Sequence, residues 1–61
     1  MRLSEKELRD LGERFVKLWK KDDMQLLGMT ETLDALGIIW RLNPTGNSFE
    51  SVTIEGRNFK L

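Results

Sequence analysis

The chain predicts an α+β fold, with one long N-terminal amphipathic helix and short helical turns packed on a three-stranded antiparallel β-meander, in the order ααβββ. Three observations predict it. A helix-start signal opens an apolar stripe at helical spacing in the first third, a stretch bounded by acidic residues and glycine occupies the middle, and residues 38–61 contain two turn signals between apolar-rich runs.

Ser4-Glu5-Lys6-Glu7 is a capping box: the Ser4 hydroxyl accepts from the Glu7 amide while Glu7 reaches back. From there Leu8, Leu11, Phe15, Leu18 and Trp19 fall within roughly 100° of a helical wheel, with Val16 at the edge. This predicts a helix over about residues 5–21. Gly12 lies beside the stripe, where a missing side chain lets another element approach. The opposite face carries Lys6, Arg9, Asp10, Glu13, Lys17, Lys20 and Lys21, with Glu5–Arg9 and Glu13–Lys17 in the favourable i, i+4 order.

Asp22 and Asp23 end that helix, and Asp23 is placed to cap a short turn over about 24–27. A single helix from 23 to 36 would scatter Leu26, Leu27, Met29, Leu33 and Leu36 around the wheel. The reading therefore favours two short pieces broken near Gly28 and Met29, the second over about 31–36, capped by Thr30 and closed by Gly37 in the left-handed region.

Strands are expected over about 38–42, 48–55 and 58–61. Asn43-Pro44-Thr45-Gly46 reads as a type I turn with a Gly bulge, which pairs Asn43 with Asn47, Trp40 with Glu50 and Ile38 with Val52. Gly56-Arg57 reads as a type II′ turn, which pairs Glu55 with Asn58 and Ile54 with Phe59. This puts Ile38, Trp40, Leu42, Val52, Ile54, Phe59 and Leu61 on one face, the face to be covered. Ile39, Arg41, Phe49, Ser51, Thr53, Glu55, Asn58 and Lys60 form the other.

Sixty-one residues make one small domain, 1–61, near the lower size for a self-sufficient core. The chain has no Cys and no His, which removes thiol nucleophiles, imidazole catalysis and the common zinc sites, so neither a metal nor another cofactor is expected. A formal net charge of zero gives no global attraction for nucleic acid or an anionic membrane. Neither a transmembrane run nor a leader pattern stands out, and the expected location is cytoplasmic. In size and in its lack of cysteine the chain is similar to bacterial and phage accessory proteins.

No residue cluster reads as catalytic, so the expectation is not an enzyme. Asp22 and Asp23 read as capping groups, Trp19 and Trp40 as core, and Lys17, Lys20 and Lys21 as a solvated helix end. What remains is the second sheet face. Ile39, Arg41, Phe49 and Lys60 make a mixed apolar and cationic patch that two layers of this size leave open, with Phe49 opposite Arg41 for a cation–π contact. The expected function is a small non-enzymatic protein-interaction or regulatory module. Its partner is another protein or a second copy of the chain, as a homodimer, bound through this face.

A second reading comes from a resemblance. Leu33-Asp34-Ala35-Leu36-Gly37-Ile38-Ile39-Trp40-Arg41, then Asn43-Pro44-Thr45-Gly46-Asn47 and Val52-Thr53-Ile54, resembles the end of a recognition helix, a strand, a wing and a return strand of the winged-helix family. The resemblance implies a DNA-binding protein, with Thr30 and Thr32 facing the groove and Arg41 and Asn47 as wing contacts. Glu31 and Asp34 depart from it, since both would oppose phosphates, and Met24 to Met29 compresses what the family places between its helices.

Overall fold

The computed structural model describes residues 3–61, and in it two helices pack on one three-stranded antiparallel sheet. Helix α1 spans Glu5–Leu18, α2 spans Asp23–Ala35, and strands β1, β2 and β3 span Trp40–Thr45, Ser48–Ile54 and Arg57–Lys60. The strands lie in the order β1-β2-β3, so β1 and β3 are both edges.

The capping box at the start of α1 is complete: the Glu7 amide donates to Ser4 Oγ at 3.1 Å and the Ser4 amide donates to Glu7 Oε1 at 3.0 Å. The buried positions of α1 are Leu8, Gly12 and Phe15, with Leu11 and Trp19 packed beside them. The helix stops at Leu18 and not at residue 21. Trp19 leaves the helical region at ψ 123°, which lets its ring turn back over the sheet, and Lys20 takes a left-handed φ of 64°.

The middle of the chain corrects the expectation of two short pieces. Residues 23–35 form one continuous helix, and Gly28 sits inside it with nothing beyond its own stretch of helix within 4 Å of where a Cβ would stand. Asp22, and not Asp23, is the cap, accepting from the Gln25 amide at 3.0 Å and from Gln25 Nε2 at 2.9 Å. Thr30 caps nothing: its hydroxyl donates back to the Leu27 carbonyl, and that of Thr32 to the Gly28 carbonyl. One internal glycine costs a helix only about 1 kcal/mol, less than the lost hydrogen bonds and packing of a break. The C-terminus is a Schellman closure. Gly37, at φ 75°, donates to the Asp34 carbonyl, and Ile38 donates to that of Leu33, with Ile38 and Leu33 both buried against the core.

Both hairpins differ from the expected registers, the second by two residues and the first by four over Trp40–Asn43. The second turn is Glu55-Gly56, both at positive φ, so Ile54 pairs with Arg57 and Val52 with Phe59. This is the I′ pattern, and it holds Glu55 at φ 49° because the Glu55 amide donates to the Ile39 carbonyl while its carboxylate accepts from the Ile39 amide. The first turn is Gly46-Asn47, closed by Thr45 and Ser48, and not Pro44-Thr45-Gly46. Trp40 consequently pairs with Ile54, Arg41 with Thr53 and Leu42 with Val52, and β1 continues through Pro44. Proline is accommodated there because β1 is an edge strand and the ladder is irregular at Asn43/Pro44. A slip by an even number preserves the face of the paired residues away from the irregularity at Asn43/Pro44. Ile38, Val52 and Ile54 are buried with Leu8, Phe15 and Leu33, and Trp40, Leu42, Phe59 and Leu61 pack around them.

Helix and sheet approach closely at Gly12. A Cβ built there would collide with the ring of Phe59 on β3. Beside it the Arg57 guanidinium pairs with the Glu5 carboxylate, tying the β2–β3 turn to the start of α1.

The two helical glycines therefore respond in opposite directions. Gly12→Ala is expected to lower stability by about 1–3 kcal/mol through overpacking on Phe59, whereas Gly28→Ala is expected to raise it by up to about 1 kcal/mol; chemical denaturation of the two variants measures both. The cap also gives the helix an acid-sensitive start. The hydrogen bond from the Ser4 amide, and after it the Ser4 side chain, hold the Glu7 carboxyl below its ordinary value, so its contribution is present above the unfolded pKa and is lost as pH falls through the lower folded pKa. Glu7→Gln is expected to flatten the acid limb of a stability-versus-pH curve measured by circular dichroism below about pH 5.

Candidate functional site

Both helices lie on one side of the sheet, and the other side is open. Its middle is a polar lattice that the sequence reading did not anticipate. Asn43 Nδ2 donates to Ser51 Oγ and Thr53 Oγ1, each at 2.9 Å, and Asn58 Nδ2 donates to the same two oxygens at 3.1 and 3.4 Å. Ser51, although on the uncovered face, is buried beneath these amides. The signal for it was present in the alternation of Asn43, Ser51, Thr53 and Asn58, and only the actual register brings the four together.

The residues expected to form a partner patch are divided by the structure. Arg41 and Lys60 are exposed on the open face, Arg41 opposite Thr53 and Lys60 opposite Ser51. Ile39, just before β1, is 75% exposed. Phe49 is not with them. The irregularity at Asn43/Pro44 pairs Phe49 with Pro44 and leaves Glu50 as an extra residue on β2, which rotates Phe49 to the helix side. Its ring meets Trp19 edge-on at 6.0 Å, and the row continues from Trp19 through Phe15 to Trp40. Arg41 therefore has Thr53 and not Phe49 as its neighbour, and the expected cation–π pair is absent.

The positions implied by the winged-helix resemblance also separate. Arg41 and Asn47 lie on the sheet and its first turn, while Thr30 and Thr32 lie on α2 with their hydroxyls bonded to the carbonyls of their own helix. Between Asp22 and Trp40 the chain carries four carboxylates and no Lys or Arg. A phosphate backbone laid along α2 would meet Asp23 and Glu31 without a compensating cation.

The apolar exposure lies elsewhere, on α2. Leu26, Met29 and Leu33 face the core, whereas Met24 is 80% exposed and Leu27 and Leu36 about half. This helix is apolar on both sides. It also stands apart from α1 along part of its length, leaving an open groove of about 620 Å³ whose apolar floor and walls are Leu11, Met29, Leu33, Leu36 and Ile38. Glu7, Asp10 and Arg14 line it from α1, and Gln25, Gly28 and Thr32 from α2. Sequence reasoning missed the groove because it depends on α2 being one straight helix. The scatter of leucines around the wheel, taken as a sign against a helix, is the signal for a helix with two apolar faces.

Among the described residues no group of three potential metal ligands comes together, and no helix is long and apolar enough to cross a membrane. No protein-family model matches the sequence, and no curated protein and no solved structure matches it.

Proposed function

We propose that the protein is a non-enzymatic protein-interaction or regulatory module acting in the cytoplasm. The observation that carries this reading is the apolar surface of α2. A chain of 61 residues has a small core, yet it leaves Met24 and Leu27 of α2 and the neighbouring Ile39 in solvent and Leu36 half-exposed on an apolar groove. Clustered apolar side chains with a polar rim mark association surfaces more often than solvent-facing ones. The open sheet face offers Arg41 and Lys60 around a lattice whose amides and hydroxyls are already bonded to one another, so less of its hydrogen-bonding capacity is left for a ligand. We therefore assign the interacting surface to α2 and the groove, with the Arg41 face as the control.

The test uses tagged wild type, Leu27→Glu, Leu36→Glu and Arg41→Glu, with any protein retained from a lysate purified and rebound directly. The expected result is direct binding that weakens at least about tenfold in one of the α2 variants and little in Arg41→Glu. Sedimentation equilibrium on the same proteins separates a foreign partner from a second copy, since a homodimer dissociates with dilution. A strict monomer that retains no protein sensitive to any of the three substitutions would overturn the reading. Tight, salt-dependent binding to duplex DNA would replace it with the winged-helix one.

A further inference from the structure

We infer that the first turns of α2, Asp23–Gly28, form a flap: they unwind as one unit, ending at Gly28, while the rest of the helix stays docked. The opening is a property of the free chain and needs no partner. Helix α2 is held unevenly along its length. Its C-terminal half is anchored in three ways. Leu33 is buried in the core, Ile38 beyond the closure is buried beside it, and the Trp40 indole Nε1 donates to Asp34 Oδ1 at 2.8 Å. The Trp40 ring in turn packs against the buried Phe15, with ring centroids 5.9 Å apart.

The first half has no equivalent anchor. None of residues 23–29 is buried: Leu26 and Met29 are half-buried against the core, and Met24, Gln25 and Leu27 are exposed. The Asp22 cap bonds to Gln25 and so holds the helix to its own first turn. Among the described residues, no side-chain hydrogen bond or ion pair ties 23–29 to α1 or to the sheet. On the side facing α1, the open groove separates Gln25 and Gly28 from Leu11 and Arg14.

Two backbone features favour release of this half. Gly28 has nothing beyond its own stretch of helix within 4 Å of its Cβ position, and glycine regains more conformational freedom on leaving a helix than any other residue. Lys20, in the turn that leads into the flap, holds a left-handed φ of 64°, which a residue with a side chain adopts at a cost and only where its surroundings impose it. Releasing Asp23–Gly28 removes that constraint. Few buried contacts and solvent-exposed backbone hydrogen bonds mark a segment that opens below the free energy of global unfolding. Opening lifts Leu26 from the core and uncovers Leu11 of α1, so the flap governs access to apolar surface that the closed state half-covers.

Native-state hydrogen exchange on the intact chain, read amide by amide with nuclear magnetic resonance, tests this. Unwinding Asp23–Gly28 takes the carbonyl partners from the amides of residues 26–32, whereas Leu36 and Ile38 keep the carbonyls of Thr32 and Leu33 at 3.0 and 2.9 Å. The expected result is protection at least about tenfold lower at residues 26–32 than at Ile38 and at Gly12 and Phe15 of α1, with exchange there almost insensitive to low denaturant. Trp40→Phe removes the indole donor and weakens the closed and flap-open states alike. It is expected to speed exchange at Ile38 and Phe15 and to leave residues 26–32 unchanged. Where Trp40→Phe does not fold, Gly28→Ala decides: exchange at residues 26–32 is expected to slow by up to about fivefold.

Equal protection along both helices, a steep denaturant dependence at residues 26–32, equal acceleration of both groups by Trp40→Phe, or no slowing in Gly28→Ala would each overturn the proposal.

Discussion

The contact between Gly12 and Phe59 is the constraint on which the rest of the arrangement depends. With the ring of Phe59 lying over the helix backbone, α1 comes down onto the β2–β3 side of the sheet, close enough for Leu8 and Phe15 to share one core with Val52 and Ile54. Helix α2 is then left the remaining side, anchored through Leu33 and Ile38 at its C-terminal closure. A sheet this narrow has room for one helix in close contact. The second helix consequently projects apolar side chains that no element of the fold covers, and the groove is the space left between a tightly seated helix and a loosely seated one.

Much of this was legible in the sequence, and the parts that were not share a cause. The capping box and the stripe from Leu8 to Trp19 fix α1 because both are local signals read within a few residues. The buried face of the sheet is also legible, since side chains alternate and the apolar residues do so consistently. Register was misread in both hairpins for one reason. Gly46 and Gly56 each admit more than one turn, and the choice is settled by contacts outside the turn, notably Glu55 with Ile39. Because each error was an even number of residues, the core survived it. Phe49 did not, since the irregularity at Asn43/Pro44 flips its side, and the expected partner patch lost its aromatic member.

Helix α2 was illegible for a different reason. Periodicity identifies a helix by the face it hides, and a helix with apolar residues on two sides gives little such contrast. Gly28 added a false break. The local evidence for continuity was there in Asp22 three residues before Gln25 and in Gly37 followed by Ile38, a start and a stop that fit one helix as well as two. The groove, the exposed leucines and the acidic surface all follow from that one element, so the candidate site was less readable than the fold.

The even-numbered freedom of the hairpins has a consequence for how the chain reaches its native state. Hairpins slipped by two residues bury the same apolar side chains, so hydrophobic collapse alone does not distinguish them from the native pairing. The selection falls to polar contacts that exist in one register only: the shared bonds of Asn43 and Asn58 to Ser51 and Thr53, and the clasp of Glu55 on Ile39. These contacts are weak one by one, those of Asn43 joining β1 to β2 and those of Asn58 joining β3 to β2. The sheet is thus proofread by its wet side.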